Sequence, residues 1–222
     1  TSWSQSSLYN RWITSLTIKN NIIFAGSYGT GNGVYRSLDG GNTWFQTSLN
    51  FASVGALAVS GNTVFAGAIS PTSGVYLSTD NGASWTQTSL NNRSVYSLYI
   101  NENTIYAGTD GYGVYVSTNS GLSWSQTSLN NKTVMALAVK GNLIFAGTAF
   151  EQGVFLSSDN GATWTQTSLN NRQVRTLLVT GNVILAGTSI NGVYVSIDNG
   201  SNWVQRIEGL AGGLIVGDLI EF

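Results

Sequence analysis

Short apolar stretches alternate with polar turns along the whole chain, and the pattern recurs about every 40 residues. In one unit, the alternating residues 134–139 lead into a Lys140-Gly141-Asn142 turn, and the apolar run 143–148 follows. A third run covers 153–157, and a fourth begins at Trp164. The β-branched and aromatic residues, the Gly-Asn and Asn-Gly turns and the lack of a helical period predict four short strands per unit.

One octapeptide recurs between the third and fourth predicted strands of every unit. Its five copies, named here the octapeptide turns, cover 37–44, 78–85, 117–124, 157–164 and 196–203. Each copy ends in tryptophan, and these five tryptophans lie 39 to 41 residues apart. Four strands in every 40 residues is typical of a β-propeller blade.

The repeat predicts an all-β fold, a β-propeller of four-stranded antiparallel blades in a single domain, 1–222. Five complete units cover about 12–48, 53–89, 94–128, 133–168 and 173–207. The termini, 1–8 and 209–222, resemble pieces of a blade and predict a partial sixth blade formed by the two ends. A five-bladed ring with loose ends and an arc of a larger ring are the alternatives. Because the sequence begins at Thr1, we expect a processed or excised portion of a longer protein.

The octapeptide resembles the Asp-box, or BNR repeat, S-x-D-x-G-x-[ST]-W, of sialidases, sortilin-type receptors, xyloglucanases and photosystem II assembly factors. In such a turn we expect the carboxylate to accept backbone N–H bonds, the glycine to supply positive φ and the tryptophan to pack on a neighbouring strand or blade. Asn119 and Asn202 depart from the motif. The positions expected to have these structural roles are Asp39, Trp44, Asp80, Trp85, Asn119, Trp124, Asp159, Trp164, Asp198 and Trp203.

The amino-acid composition limits the catalytic groups and metal ligands that the chain can supply. The chain has no His and no Cys, which excludes an imidazole base, a thiolate nucleophile, a disulfide and an ordinary zinc site, so no metal and no cofactor are predicted. With 9 Lys and Arg against 10 Asp and Glu, it has no basic field for nucleic acid. The neutral Ser-, Thr- and Asn-rich surface favours a secreted or cell-surface protein, and no apolar run predicts membrane insertion.

Antiparallel strands place two kinds of loop at the same edge of each blade: the connection to the next blade and the loop between the second and third strands. We name this the loop edge. The connections repeat an amide and a cation, and the variable loops add aromatic rings. The predicted ligand-binding residues are Asn92, Arg93, Asn131, Lys132, Asn171, Arg172, Tyr28, Tyr112 and Phe150. The alternative is that these amides and cations merely cap the connection and solvate its rim.

Function is therefore predicted to be non-catalytic binding or adhesion, with a glycan or an extracellular protein as ligand. The first alternative is a glycoside hydrolase, sialidase-like or xyloglucanase-like, that uses Asp110 and Glu151 as its carboxylate pair. The arginine motif, tyrosine nucleophile and glutamate partner of sialidases have no counterpart here. The second alternative is a purely architectural repeat. If another chain completes the partial blade, the protein is a homo-oligomer.

Overall fold

A computed structural model describes residues 5–29, 31–206, 217 and 219. All regular elements in this part of the chain are β-strands, and they form five four-stranded sheets. The predicted all-β fold of four-stranded antiparallel blades is confirmed. Residues 1–4, 30, 207–216, 218 and 220–222 are outside the described part, so most of the predicted partial sixth blade falls outside it too.

The strands follow chain order across every sheet. The first sheet contains β1 (Trp12–Lys19), β2 (Ile22–Tyr28), β3 (Gly33–Ser37) and β4 (Phe45–Gln46), and the second contains β5 (Ser53–Ser60), β6 (Thr63–Ile69), β7 (Gly74–Ser78) and β8 (Thr86–Gln87). The third contains β9 (Val95–Asn101), β10 (Thr104–Thr109), β11 (Gly113–Ser117) and β12 (Ser125–Gln126). The fourth contains β13 (Val134–Lys140), β14 (Leu143–Thr148), β15 (Val154–Ser157) and β16 (Thr165–Gln166), and the fifth contains β17 (Val174–Thr180), β18 (Val183–Thr188), β19 (Val193–Ser196) and β20 (Val204–Arg206).

The chain divides into two compact units, Thr1–Ile105 with Ser117–Trp124, and Tyr106–Val116 with Ser125–Phe222. Within the first unit, β5 packs against the first sheet. Its Val54 and Leu57 join Phe24 in one buried cluster. Gly26 makes this approach close, because a Cβ built there would lie 2.7 Å from Val54 Cγ1. The glycine in the second strand of the first sheet therefore allows β5 to pack closely against that sheet.

The second unit repeats the same packing between its fourth and fifth sheets. Phe145, Val174 and Leu177 belong to one buried cluster. A Cβ built at Gly147 would lie 2.6 Å from Val174 Cγ1, so this glycine has the role of Gly26. The Ala-Gly pair in the second strand thus leaves room for the first strand of the following sheet.

Candidate functional site

The octapeptide turns are held by a repeated set of hydrogen bonds. In the second turn, Ser78 Oγ donates to Asp80 Oδ1 over 2.8 Å and accepts the Gly82 N–H over 2.8 Å. Asp80 Oδ1 also accepts the Ser84 N–H over 2.9 Å. The corresponding backbone bonds to the acidic or amide side chain in the other four turns come from Thr43, Ser123, Thr163 and Asn202. The side chain at this position therefore closes its own turn.

Backbone conformation explains the glycine of each turn. The predicted positive φ is confirmed at all five positions, with 95° at Gly41, 82° at Gly82, 83° at Gly121, 90° at Gly161 and 85° at Gly200. The preceding residue is also left-handed, as at Asn81 with a φ of 58°. Two consecutive positive φ values are typical of the tight hairpin turns that join antiparallel strands.

The tryptophan of the turn combines packing with one hydrogen bond. Trp44 packs against a buried cluster of Leu8, Ala25 and Tyr35, and Trp203 packs against the cluster that contains Phe145. The indole Nε1 donates to the glycine carbonyl of its own turn at Trp44, Trp124, Trp164 and Trp203. Trp85 instead donates to Thr47 Oγ1 of the first sheet over 3.2 Å.

These hydrogen bonds also change the acidity of the carboxyl groups. Bonds from Thr43 and then Ser37 lower the pKa of Asp39 to about 2, and bonds from Ser84 and then Ser78 lower the pKa of Asp80 to about 2. The pKa of Asp159 is lowered mainly by Thr163, and that of Asp198 is lowered mainly by the Asn202 N–H. All four carboxylates are thus stabilised in the charged form by the turns that they close.

Stability is expected to fall as pH drops from about 4 toward 2. A carboxyl group whose pKa is lower in the folded chain stabilises the fold above its unfolded pKa, and this contribution is lost as pH falls through the folded pKa. We expect the urea midpoint to decrease across this window. The Asp80→Asn variant should lose less of its midpoint than the wild type, because Asn119 already makes the same backbone bond without a charge. Equal losses in the two proteins would contradict this account.

The connections between sheets are bonded to the start of the third strand. Val75 N donates to Leu90 O over 2.8 Å, and Val154 N donates to Leu169 O over 2.8 Å. Gly153 N also donates to Arg172 O over 2.9 Å. Backbone bonds therefore keep the connection beside the loop between the second and third strands, as the loop edge requires.

Cations of the loop edge lie over aromatic rings of the third strand. Arg11 Cζ lies over Tyr35, Lys132 Nζ over Phe155 and Arg172 Cζ over Tyr194, each 5.7 Å from the ring centroid. At this distance a cation is attracted by the ring quadrupole. The heads of these three cations are therefore positioned by packing on the rings.

Hydrogen bonds fix two of these guanidinium groups further. Arg172 Nε donates to Tyr194 Oη over 2.9 Å, and its Nη1 donates to the Asn171 carbonyl over 2.8 Å. Arg11 Nη1 donates to Asn32 Oδ1 over 2.6 Å. Arg93, at the same repeat position, donates from Nη1 to the Asn92 carbonyl over 3.1 Å. The guanidinium groups of Arg11, Arg93 and Arg172 are thus oriented by hydrogen bonds within the chain.

The predicted amides and aromatic rings are on the surface. The side chains of Asn92, Asn131 and Asn171 are exposed. Tyr28 is 46% exposed, Tyr112 is 45% exposed and Phe150 is 74% exposed. Phe150 and Glu151 both have left-handed backbones, with φ of 54° and 57°. Gly or Asn is the usual residue in such a turn, so the backbone at Phe150 and Glu151 is locally strained. The Phe150 ring is exposed at this strained turn.

The structure gives the two candidate carboxylates different surroundings. Asp110 Oδ1 accepts a hydrogen bond from Thr133 Oγ1 over 2.9 Å. Glu151 lines a pocket of about 80 Å³ that also contains Asn171, Arg172 and Ile190. This volume is several times smaller than the roughly 300–1,000 Å³ of a typical small-molecule cleft. The pocket can receive a substituent of a ligand but not a whole sugar ring.

Sequence reasoning missed the glutamines two residues after each octapeptide tryptophan. Their Nε2 groups donate to carbonyls of the loop between the second and third strands: Gln46 to Gly31, Gln87 to Ser73, Gln126 to Tyr112, Gln166 to Gln152 and Gln205 to Asn191. Three of them also approach the connection carbonyls of Asn91, Asn130 and Asn170. The recurrence of Gln at this position in all five units was the available signal.

The described residues lack both a metal-binding cluster and a membrane-spanning helix. No group of three or more His, Cys, Asp and Glu side chains there could hold a metal ion. Nor does that part of the chain contain a helix long and apolar enough to cross a membrane.

Comparisons with known proteins connect the chain to solved structures alone. No protein-family model and no curated protein matches the sequence. An ancestral GH74 enzyme matches with a TM-score of 0.75 and 22% identity over 91% of this chain and 32% of its own. The extracellular domain BT4673 from B. thetaiotaomicron matches with a TM-score of 0.76 and 21% identity over 98% of this chain and 31% of its own. YCF48 bound to D1 peptide matches with a TM-score of 0.65 and 16% identity over 88% of this chain and 68% of its own.

The chain spans about a third of the GH74 enzyme and of the BT4673 domain. At identities of 22% and below, these likenesses show a common fold alone. The five sheets described above therefore have the β-propeller fold.

Proposed function

We propose that this protein is a non-catalytic binding module whose ligand lies on the loop edge. The observation that carries the proposal is the set of oriented cations on that edge, each stacked on a third-strand aromatic ring. A guanidinium group held by its own hydrogen bonds needs little reordering to bind a carboxylate or a hydroxyl group. The exposed rings of Tyr112 and Phe150 supply a surface on which a sugar or an aromatic side chain can stack.

A glycan or an extracellular protein fits this surface, and we favour the glycan. Arg172, Asn171 and Glu151 line one small pocket beside exposed Phe150. That combination gives donors, an acceptor and an apolar face, which together match the two sides of a pyranose ring. The YCF48 structure, which holds a peptide, supports the protein alternative. A place outside the cell, secreted or on the cell surface, belongs to the same proposal and is supported by the extracellular neighbour.

The octapeptide turns have a scaffold role in this proposal, and we interpret them as Asp-boxes. Their carboxylates are occupied by bonds to their own turns, as for Asp80 with Ser84 and Ser78. Such groups stabilise the hairpin but have no part in binding. The residues proposed to bind are therefore those of the loop edge, at the opposite ends of the strands.

The test is a glycan array of neutral and acidic oligosaccharides together with a display library of random peptides. We expect retention on glycans, and we expect Phe150→Ala and Arg172→Ala each to weaken binding at least about tenfold, which corresponds to about 1.4 kcal/mol. The matched control is Leu122→Ala, because Leu122 is also exposed, at 73%, but lies on an octapeptide turn. If the protein binds peptides but no glycans, its ligand is a protein. If it binds neither glycans nor peptides, the proposal is overturned.

A glycoside hydrolase that uses Asp110 and Glu151 is the second candidate, and the GH74 likeness is the observation in its favour. A screen with chromogenic glycosides and xyloglucan distinguishes it from the first. Turnover that disappears in both Asp110→Asn and Glu151→Gln would establish the enzyme. Binding without turnover supports the binding module, and flat results in every assay would leave a purely architectural repeat.

A further inference from the structure

The fifth sheet has a cation that the repeat does not explain. Arg175 is the second residue of β17, and its side chain is exposed. The equivalent position of the other first strands has a neutral residue: Thr14, Gly55, Tyr96 and Met135. Duplication of one unit accounts for the cations of the connections, which recur at one position, but not for Arg175. Because β17 begins beside the end of β18, where Val174 pairs with Thr188, this added charge is near the loop edge.

Arg175 is bonded to the wall of the small pocket described above. Its Nε donates to Ser189 Oγ over 2.7 Å. Ser189 lines the pocket of about 80 Å³, and Arg172 lines it too. The Ser189 N–H donates to the carbonyl of Gln173, another lining residue, over 3.1 Å. One arginine therefore lines the pocket directly, and a second is joined to it through Ser189.

This pocket lies at a junction that lacks a hydroxyl group found at three others. At those three, a hydroxyl at the start of the following first strand accepts an N–H from the preceding loop: Ser53 from Gly29, Ser94 from Ser70 and Thr133 from Gly111. At the junction of the fourth and fifth sheets, the hydroxyl position is Gln173 and the loop position is Phe150. Gln173 lines the pocket instead, so the sequence of this junction departs from the repeat where the pocket is formed.

The wall of the pocket offers more donors than acceptors. Arg172 bonds Tyr194 Oη through Nε and a carbonyl through Nη1, so its Nη2 takes part in neither bond. Ser189 Oγ accepts the bond from Arg175, and the hydroxyl therefore keeps its own proton for an acceptor. Among the described residues that line the pocket, Glu151 is the only carboxylate. Two cations against one carboxylate favour a ligand group that carries acceptors and a negative charge.

Apolar side chains flank the pocket. Ile190 lines it and is 68% exposed, and Phe150, beside Glu151 in the chain, is 74% exposed. The volume of the pocket admits a substituent but not a sugar ring. A hexuronic acid has this division, because its carboxylate is a substituent on a pyranose ring whose face can pack against an aromatic side chain.

We propose that this pocket binds the carboxylate of a hexuronic acid residue in an acidic glycan, with Arg172 and Arg175 as its cations and Phe150 against the sugar ring. The inference rests on the proposed function and names the ligand class of the same loop edge. Glu151 weakens the attraction because it has the same charge as the ligand group. The C-terminal carboxylate of a peptide has the same charge but no ring to pack on Phe150.

The first test compares ligands that differ in the carboxylate alone. Oligosaccharides of galacturonate, glucuronate and guluronate are each compared by calorimetry with the same oligosaccharide after reduction of its carboxyl groups to alcohols. We expect at least one acidic form to bind at least about tenfold more tightly than its reduced form, and we expect added salt to decrease the difference.

Equal affinities for the acidic and reduced forms would overturn this inference and leave the proposed function intact. Binding to no glycan and no peptide would overturn both. Binding to peptides with a free C-terminal carboxylate, without binding to any hexuronate, would overturn the inference by replacing its ligand class.

The second test uses charge variants with the acidic ligand and its reduced form. Arg175→Gln is expected to weaken binding of the acidic form at least about tenfold and of the reduced form less than about twofold. Arg175→Lys, which keeps the charge, should recover part of the loss. Glu151→Gln should strengthen binding of the acidic form at least about threefold, since it removes a like charge.

The matched control is Lys140→Gln. Lys140 is a cation of the same compact unit at the opposite end of β13, and glutamine keeps a donor for its partner Asn199. This variant should bind the acidic form as the wild type does. Equal losses in Arg175→Gln and Lys140→Gln would indicate attraction by overall charge and overturn the assignment to this pocket, as would an equal loss of the acidic and reduced forms in Arg175→Gln.

Discussion

Gly153→Ala is expected to lower the free energy of unfolding by about 3 kcal/mol or more, through left-handed strain and a backbone clash. Gly153 has a φ of 72°, and a Cβ built there would lie 1.8 Å from the Leu169 carbonyl oxygen. That oxygen accepts the Val154 N–H, so it cannot retreat without breaking a bond of the connection. Chemical denaturation of the variant measures the loss.

The same substitution is expected to disturb the loop edge as well. Gly153 N donates to the Arg172 carbonyl, and the connection that must move carries both Asn171 and Arg172. Arg172 is held over Tyr194 by the position of that connection. Binding on the loop edge should therefore weaken together with stability in this variant.

Gly111→Ala is the matched control for this prediction. Gly111 also has a φ of 72°, but a Cβ built there would meet no heavy atom within 4 Å. Its cost is expected to be that of a left-handed non-glycine residue alone, about 1–2 kcal/mol. Equal losses at the two positions would show that the close approach at Gly153 contributes nothing.

The fold could be predicted from the sequence because the same pattern of strands and turns recurs in five units. The Gly-Gly, Asn-Gly and Ser-Gly pairs of the octapeptide turns contain the glycine for which positive φ is expected, and the structure has positive φ at all five glycines. Strand alternation and turn residues are local signals, so a single unit already predicts its hairpins. A single unit could match the strand and turn pattern by chance. Because the pattern recurs in five units, a chance match is excluded.

The arrangement of the loop edge could be predicted only in part. Antiparallel order places Arg172 and the loop 148–152 at one edge, but the stacking of Arg172 on Tyr194 depends on the path of the connection. That path is set by the bond from Val154 N to Leu169 O, which no local pattern contains. The exposure of Leu16 could not be predicted from the sequence either, because Leu16 has the same position in its unit as the buried Leu57.

Phe145→Ala is expected to lower the free energy of unfolding by about 3–5 kcal/mol, the usual cost of truncating a buried phenylalanine. Phe145 is fully buried and lies beneath the octapeptide turn of the fifth sheet, 3.1 Å from a Cβ built at Gly200. Its removal leaves a cavity in the cluster shared by the fourth and fifth sheets, which includes Leu177 and Ile184. Thermal and urea denaturation of the variant check this value.

Phe150→Ala is the matched comparison, five positions along the same chain segment. Phe150 is 74% exposed, so its truncation should change stability by less than about 0.5 kcal/mol. The substitution is not expected to relieve the backbone strain at this position, because alanine keeps the same left-handed backbone. If the loop edge binds a ligand, the two variants separate: Phe145→Ala loses stability, and Phe150→Ala loses binding while its unfolding curve stays that of the wild type. A large stability loss in Phe150→Ala would show that this ring packs in the folded protein, which would remove it from the proposed binding surface.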